Sequence, residues 1–130
     1  MRKLNSSNAQ NQLQMITNCP LTSSLILING RWKMIILWQI NGGVIRFGEL
    51  RRAIPLITEK MLTDQLRELE RDGFVQRTIY PEVPPRVEYS LTPLAQSLIP
   101  ILEQLLSWGE QNQAIDRVRQ HYLGSDAKEA

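Results

Sequence analysis

Residues 46–92 read RFGELRRAIPLITEKMLTDQLRELERDGFVQRTIYPEVPPRVEYSLT, and the fold is decided inside this stretch. Phe47, Leu50 and Ile54 recur at i, i+3 and i+7, which predicts a short amphipathic helix starting near Phe47. Pro55 disfavours a helical residue before it and stops that helix. Thr58 is a good N-cap for a second helix, Glu59 complements its dipole, and Gly73 after Asp72 supplies the exit. Phe74, Val75, Ile79 and Tyr80 give the next run β character, Pro81 to Pro85 makes a stiff tip, and Arg86 to Leu91 returns. Helix, turn, helix and hairpin, with almost no spare residues, is the plan of a winged helix-turn-helix. The expected fold is mostly α with a small β-hairpin wing, and the plan points to double-stranded DNA as ligand.

Downstream, Thr92-Pro93 is a cap followed by a proline at the first helical position, opening a last helix that extends toward Tyr122. Leu94, Leu98, Ile101, Leu105 and Trp108 follow in alternating steps of four and three, and Leu102 and Leu106 widen the face. That face is broader than one wall of a small domain requires. Leu94, Leu98, Ile101, Leu102, Leu105 and Trp108 are therefore read as a homodimer interface, the alternative being a helix folded back on its own domain. Pro100 should kink this helix and Gly109 should break it.

Upstream, Val44-Ile45 is β-favouring and is expected to serve as a short third strand. A helix from about Arg31 to Ile40 is apolar on most faces, which suits a central position. Pro20 opens another, with Leu21, Leu25 and Ile28 at i, i+4 and i+7 and Asn29-Gly30 as its stop. Residues 1–18 are rich in Asn, Gln and Ser and predict a flexible polar arm, with a short helical end from Leu13 to Thr17. The organisation expected is thus an arm (1–18), a winged helix-turn-helix domain (19–108) and a C-terminal helical extension and tail (109–130), with the flanking helices serving dimerisation.

The totals agree without deciding anything. A chain of 130 residues, 42% apolar and 22% charged, is ordinary for a single globular domain. Its net charge of +2 is unevenly spread: residues 1–90 carry 12 Lys and Arg against 8 Asp and Glu, and residues 91–130 carry 3 against 5. The basic excess lies on the segment suspected of touching DNA. No apolar run approaches the roughly 18–20 residues that cross a bilayer, and the N-terminus lacks the apolar core of a secretory signal. With a single cysteine, Cys19, a cytoplasmic protein is the economical expectation. One histidine, His121, and the lack of a phosphate loop, a nucleophile triad or metal-ligand spacing argue against an enzyme, a metal or a cofactor.

On a helical wheel of 58–72, Leu62, Leu66 and Leu69 share the core face. The opposite stripe is Lys60, Asp64, Arg67 and Arg71, flanked by Glu59 and Thr63. Lys60 and Arg67 can donate to guanine or phosphate, Thr63 can meet a base edge or a thymine methyl, and Asp64 can accept from a cytosine amine. The plainer reading is a solvated face laced with ion pairs. Arg86, beside Pro84-Pro85, is either a wing contact to DNA or a partner of Glu82 or Glu88. Arg46, Arg51 and Arg52 are phosphate candidates, with Thr58 at the helix start beside them. A winged-helix module for protein–protein assembly, without DNA, is the competing function; it would have no need of a cationic stripe and a basic wing together.

Three stretches, CPLTSSLILINGRWKMIILWQI, RFGELRRAIPLITEKMLTDQLRELERDGFV and YPEVPPRVEYSLTPLAQSLIPIL, resemble the HxlR-type winged-helix transcriptional regulators, relatives of the MarR group. The resemblance runs from Cys19 to Trp108 and is most specific at Arg31-Trp32-Lys33, at Lys60–Leu69 and at Tyr80–Tyr89. It implies a homodimeric DNA-binding regulator with the 58–72 helix in the major groove and the hairpin as wing. Asn29, and Leu56 after Pro55, stand where glycine is frequent. Some members carry a cysteine that senses oxidants or electrophiles, and Cys19 aligns with it. Its place at a helix N-terminus favours thiolate, whereas the commoner state of a lone cysteine is inert.

Overall fold

The computed structural model describes residues 7–16 and 18–124. In chain order the elements are α1 (Ser7–Ile16), α2 (Pro20–Ile28), α3 (Lys33–Asn41), α4 (Phe47–Ala53), α5 (Glu59–Arg71), β1 (Val75–Tyr80), β2 (Arg86–Leu91), α6 (Pro93–Gln111) and α7 (Ala114–Tyr122). The helical end expected at Leu13 begins at Ser7, and the rest of the expected arm, residues 1–6 and Thr17, lies outside the described residues.

The core gathers around α3 and α5. Ile36, Leu37 and Ile40 of α3 meet Leu50 and Ile54 of the α4 region, Leu62, Leu66 and Leu69 of α5, Phe74-Val75 at the hairpin entry and Ala95 of α6. Leu62, Leu66 and Leu69 form the buried leucine face expected of the second helix. An ion pair, Lys33 Nζ to Glu68 at 3.0 Å, straps α3 to the flank of α5.

The helix ends follow their local chemistry. Thr58 Oγ1 accepts from the Met61 N–H at 3.1 Å, so α5 begins where its cap stands. At its other end Phe74 N–H donates to Leu69 C=O and Gly73 N–H to Glu70 C=O, with Gly73 at φ +83°. This paired arrangement closes a helix on a left-handed residue and launches β1 at a fixed angle. Thr92 caps α6 through Ala95 N–H while its own hydroxyl donates to Gly73 C=O, so the end of the hairpin is tied back to its beginning.

Strands β1 and β2 pair antiparallel, from Val75 opposite Leu91 to Tyr80 opposite Arg86. The third strand expected at Val44-Ile45 does not form. A single bond to the hairpin remains, Tyr89 N–H to Ile45 C=O at 2.9 Å, because the three residues between the Gly42-Gly43 turn and α4 are too few for a ladder.

The last helix differs from expectation at its end. α6 runs unbroken through Pro100 and Gly109, and the chain turns only at Asn112-Gln113, where Gln113 takes φ +57°. Gly109 faces the returning chain closely: a Cβ there would stand 3.4 Å from the Ala114 Cβ. α6 also carries two apolar stripes. Ala95, Ile99 and Leu102 are buried inside the protomer, and Leu98 packs against the core. Leu94, Ile101, Leu105, Leu106 and Trp108 are exposed.

Candidate nucleic-acid interface

α4, the turn after it, and α5 make the helix-turn-helix. Ile54 and Ile57 are buried on either side of the turn and anchor it, while Leu56 between them adopts φ +70° and is exposed. The buried leucines fix the rotation of α5, and Lys60, Asp64 and Arg67 consequently face outward from the core. Thr63 is half-buried on the flank, and its hydroxyl donates to Glu59 C=O at 2.8 Å. Arg71 is drawn away from the stripe by Asp72, to which its Nε donates at 3.1 Å. This hydrogen bond holds the Asp72 carboxyl below its usual range and raises the Arg71 guanidinium.

Most cations of this surface already have a carboxylate at hand. Lys60 Nζ lies 3.6 Å from Asp64, Arg51 lies 3.7 Å from Glu59 of the next helix, and Arg46, at the N-cap of α4, lies 3.8 Å from Glu88 of the hairpin. Among the described candidates, Arg52 and Arg67 have no acidic partner within ion-pair distance. Arg52 lies over Gly48, where a Cβ would meet its guanidinium at 3.5 Å.

Arg86 is the candidate whose structural reading gains most. It sits at the last ladder pair, opposite Tyr80, rather than at the tip. Its guanidinium reaches Glu82 at 3.2 Å and Glu88 at 3.0 Å and stacks 3.9 Å above the Tyr80 ring. Two carboxylates and an aromatic face leave little of that side chain for DNA, so the geometry makes Arg86 the anchor of the wing. The outer part of the wing is instead Pro81 to Pro85, where every residue is exposed.

Arg77 belongs on this surface and escaped the sequence reading. It stands opposite Tyr89 in the ladder, and both line a polar concavity with Phe47, Thr63, Arg67 and Glu70, between α5 and the wing. Arg77 Nε is 3.8 Å from Glu70. Burial raises the Tyr89 hydroxyl above its ordinary value, with the Arg77 charge acting in the opposite sense. The alternation of β1 puts Arg77 on the face of Val75 and Ile79, but its nearness to Arg67 depends on how the hairpin docks, which no local pattern encodes.

Away from this surface, the six residues expected at a dimer interface divide. Leu94, Ile101, Leu105 and Trp108 are open, Leu98 is shared with the core, and Leu102 lies within the protomer, on the same stripe as Ala95 and Ile99. α2 buries none of its residues, and Leu21, Leu25, Ile26 and Leu27 are exposed. Ser24, Leu27 and Ile28 of α2 face Leu94, Ser97, Leu98 and Ile101 of α6 across a shallow apolar groove, so the two open helices adjoin. Cys19 is an exposed free thiol at the N-cap of α2. The Thr22 N–H, then the Thr22 hydroxyl and the Leu21 N–H, lower its pKa from the ordinary thiol value, the direction expected at a helix start. Among the described residues no group of three or more His, Cys, Asp or Glu could hold a metal, and no helix is long and apolar enough to cross a membrane.

Known proteins share this arrangement. The model of the HxlR-like helix-turn-helix family matches residues 27–117. The HTH-type transcriptional regulator YybR of Bacillus subtilis (strain 168) is 50% identical over 97 residues, 75% of this chain and 78% of that protein. Among solved structures, the redox regulator HypR in its reduced form superposes with a TM-score of 0.71 at 47% identity, covering 76% of this chain and 98% of that one. Diamide-treated YodB from B. subtilis superposes with a TM-score of 0.61 at 35% identity, covering 72% of this chain and 93% of the other.

Proposed function

The chain belongs to the HxlR-like helix-turn-helix family, and from that premise we propose that it is a transcriptional regulator that binds specific double-stranded DNA as a homodimer. The observation that carries the reading is the outward stripe of α5, Lys60, Thr63, Asp64 and Arg67, set beside a hairpin wing while the leucines of the same helix are buried. A helix held this way offers the side chains of its N-terminal half to base edges in a major groove. Arg67, without an acidic partner, has donors available for a guanine or a phosphate. Arg52, Arg46, Arg51 and, through the α5–wing concavity, Arg77 supply backbone contacts, with Thr58 at the helix start. Arg86 holds the wing that the DNA meets.

The second subunit comes from the open apolar faces. Leu94, Ile101, Leu105 and Trp108 of α6, with the exposed residues of α2, form a contiguous surface of the kind that marks a protein interface. Two-fold pairing through it sets two copies of α5 on half-sites of a pseudo-palindromic operator, one helical turn or a multiple apart.

The test is selection from a random duplex library, followed by affinity measurements across salt concentrations. A two-fold symmetric sequence should be enriched, and the logarithm of its affinity should fall with log salt by about 0.9 for each phosphate neutralised. Enrichment of no sequence would end the reading and favour the assembly module. Arg67→Ala should cost roughly 1–3 kcal/mol of discrimination at one position of each half-site, with a smaller effect on non-specific duplex. An equal loss on every sequence would make Arg67 a phosphate contact.

A thiol switch at Cys19 is the regulatory part of the proposal. It is supported by the exposed, acid-shifted thiol and by similarity to a protein described as a redox regulator. A two-electron oxidant such as diamide would take two electrons and two protons from a pair of thiols, forming a disulfide between two chains or between Cys19 and a small thiol. Because the thiol pKa is lowered, alkylation by iodoacetamide should rise with pH and level off earlier than for free cysteine. Diamide should weaken operator binding by the wild type and leave Cys19→Ser unaffected; identical responses would remove Cys19 from the mechanism.

A further inference from the structure

Several carboxylates stand beside cations of the reading surface. Glu59 at the start of α5 faces Arg51 of α4 at 3.7 Å, Asp64 one turn on faces Lys60 at 3.6 Å, and Glu82 in the wing faces Arg86 at 3.2 Å. These carboxylate side chains are 70%, 49% and 55% exposed, and the Arg51 and Lys60 side chains facing the first two are 52% and 88% exposed, so neither of those pairs neutralises a buried charge. Exposed ion pairs of this kind contribute almost nothing to stability. They do oppose DNA, because a phosphate approaching Arg51 or Lys60 must displace a carboxylate that then stays nearby and repels it, and Glu82, exposed in the wing beside Arg86, repels a phosphate brought close to the wing. One such acid sits on each piece of the surface: the helix-turn-helix corner, the middle of α5 and the wing.

We propose that Glu59, Asp64 and Glu82 are specificity-determining residues that screen this surface against non-specific DNA. The inference rests on the DNA-binding reading above. On an arbitrary duplex only the phosphate charge is on offer, and the three carboxylates hold that attraction down. On the operator, base contacts from α5 and the seating of the wing offset the displaced pairs. The carboxylates therefore subtract more from the wrong complex than from the right one, which widens the ratio between them.

The experiment compares the full-length wild type with Glu59→Gln/Asp64→Asn/Glu82→Gln on two duplexes, between 50 and 200 mM salt. One is the duplex enriched by the wild type from a random library, and the other is a scrambled duplex of the same length and composition. Each cation released to a phosphate adds about 0.9 to the salt slope, so the non-specific affinity lost across this range should grow roughly threefold per phosphate. At 50 mM salt the variant should bind the scrambled duplex more tightly, and the ratio of enriched to scrambled affinity should fall. An unchanged ratio, whether neither affinity moves or both rise equally, overturns the proposal. Because Asp64 can also touch a base, Glu59→Gln/Glu82→Gln is measured beside it. The ratio should fall there too, and a fall confined to variants carrying Asp64→Asn would reduce the proposal to one base contact. A wild type that enriches no sequence would sink the DNA-binding reading and this inference with it, a result distinct from an unchanged ratio.

Discussion

The α4–α5–hairpin region and the α2–α6 face both carry apolar stripes, yet only the first buries its stripe within one chain. Leu62, Leu66 and Leu69 are buried to the last few per cent, and Thr58, Gly73 and Thr92 close the ends of their elements with specific hydrogen bonds. α2 is more hydrophobic than α5 and buries nothing, and the outer stripe of α6 stands open beside it. One region is a rigid scaffold that orients charged side chains. The other is an open apolar face, and such area gains stabilisation only when another surface removes it from water.

The comparison can be broken most forcefully in the scaffold. Leu66→Ala removes a side chain at the centre of the core and should destabilise the protein by about 2–5 kcal/mol, the range for buried leucine truncation. Urea unfolding of wild type and variant at equal protein concentration measures it. A loss below about 1 kcal/mol would show that α5 is not held by its leucine face, and the orientation of the reading stripe would lose its basis.

The next test acts on the open face. Leu105→Glu should leave the protomer folded, because Leu105 touches water already. In a dimer the same carboxylate would be buried without a partner, which costs several kcal/mol and should raise the dimer dissociation constant at least about 30-fold. Light scattering at micromolar concentration should then find monomers with an unchanged circular dichroism spectrum. A variant that stays dimeric would move the interface elsewhere, and one that unfolds would show that the two regions are not separable.

How much of this was legible in the sequence follows the same division. Pro20, Pro55, Thr58, Gly73 and Thr92-Pro93 act through their own backbone and nearest neighbours, so the ends they predict are the ends observed. The leucine face of α5 was legible because one period governs it. α6 was harder, since two apolar stripes overlap on one helix. Ala95, too small to count in a pattern of large residues, marks the inner stripe, and Leu102 goes with it. The pairing of Arg86 with Glu82 and Glu88 was legible from spacing, but its stacking on Tyr80 needed the hairpin register, which sets Tyr80 directly across. Arg77 needed the docking of two elements. Val44-Ile45 had the propensity for a strand but not the length, and propensity without a ladder partner decides little.

The smallest effect expected tests a strained point in the scaffold. Leu56 holds φ +70° between the buried Ile54 and Ile57 and is 91% exposed, so its side chain contributes almost no packing to the protomer. A non-glycine residue in the left-handed region costs about 1–2 kcal/mol, while glycine adds roughly 0.5–1 kcal/mol of conformational entropy to the unfolded chain. Leu56→Gly should therefore stabilise the protein by up to about 1 kcal/mol, read as a small rise in the urea midpoint at unchanged slope. The sign carries the argument. If the variant is less stable by more than about 0.5 kcal/mol, Leu56 must make contacts that a single protomer does not contain. If it is more stable yet binds the enriched duplex less tightly, the exposed leucine at the corner between α4 and α5 would itself touch DNA, and the strain at this turn would be the cost of that contact.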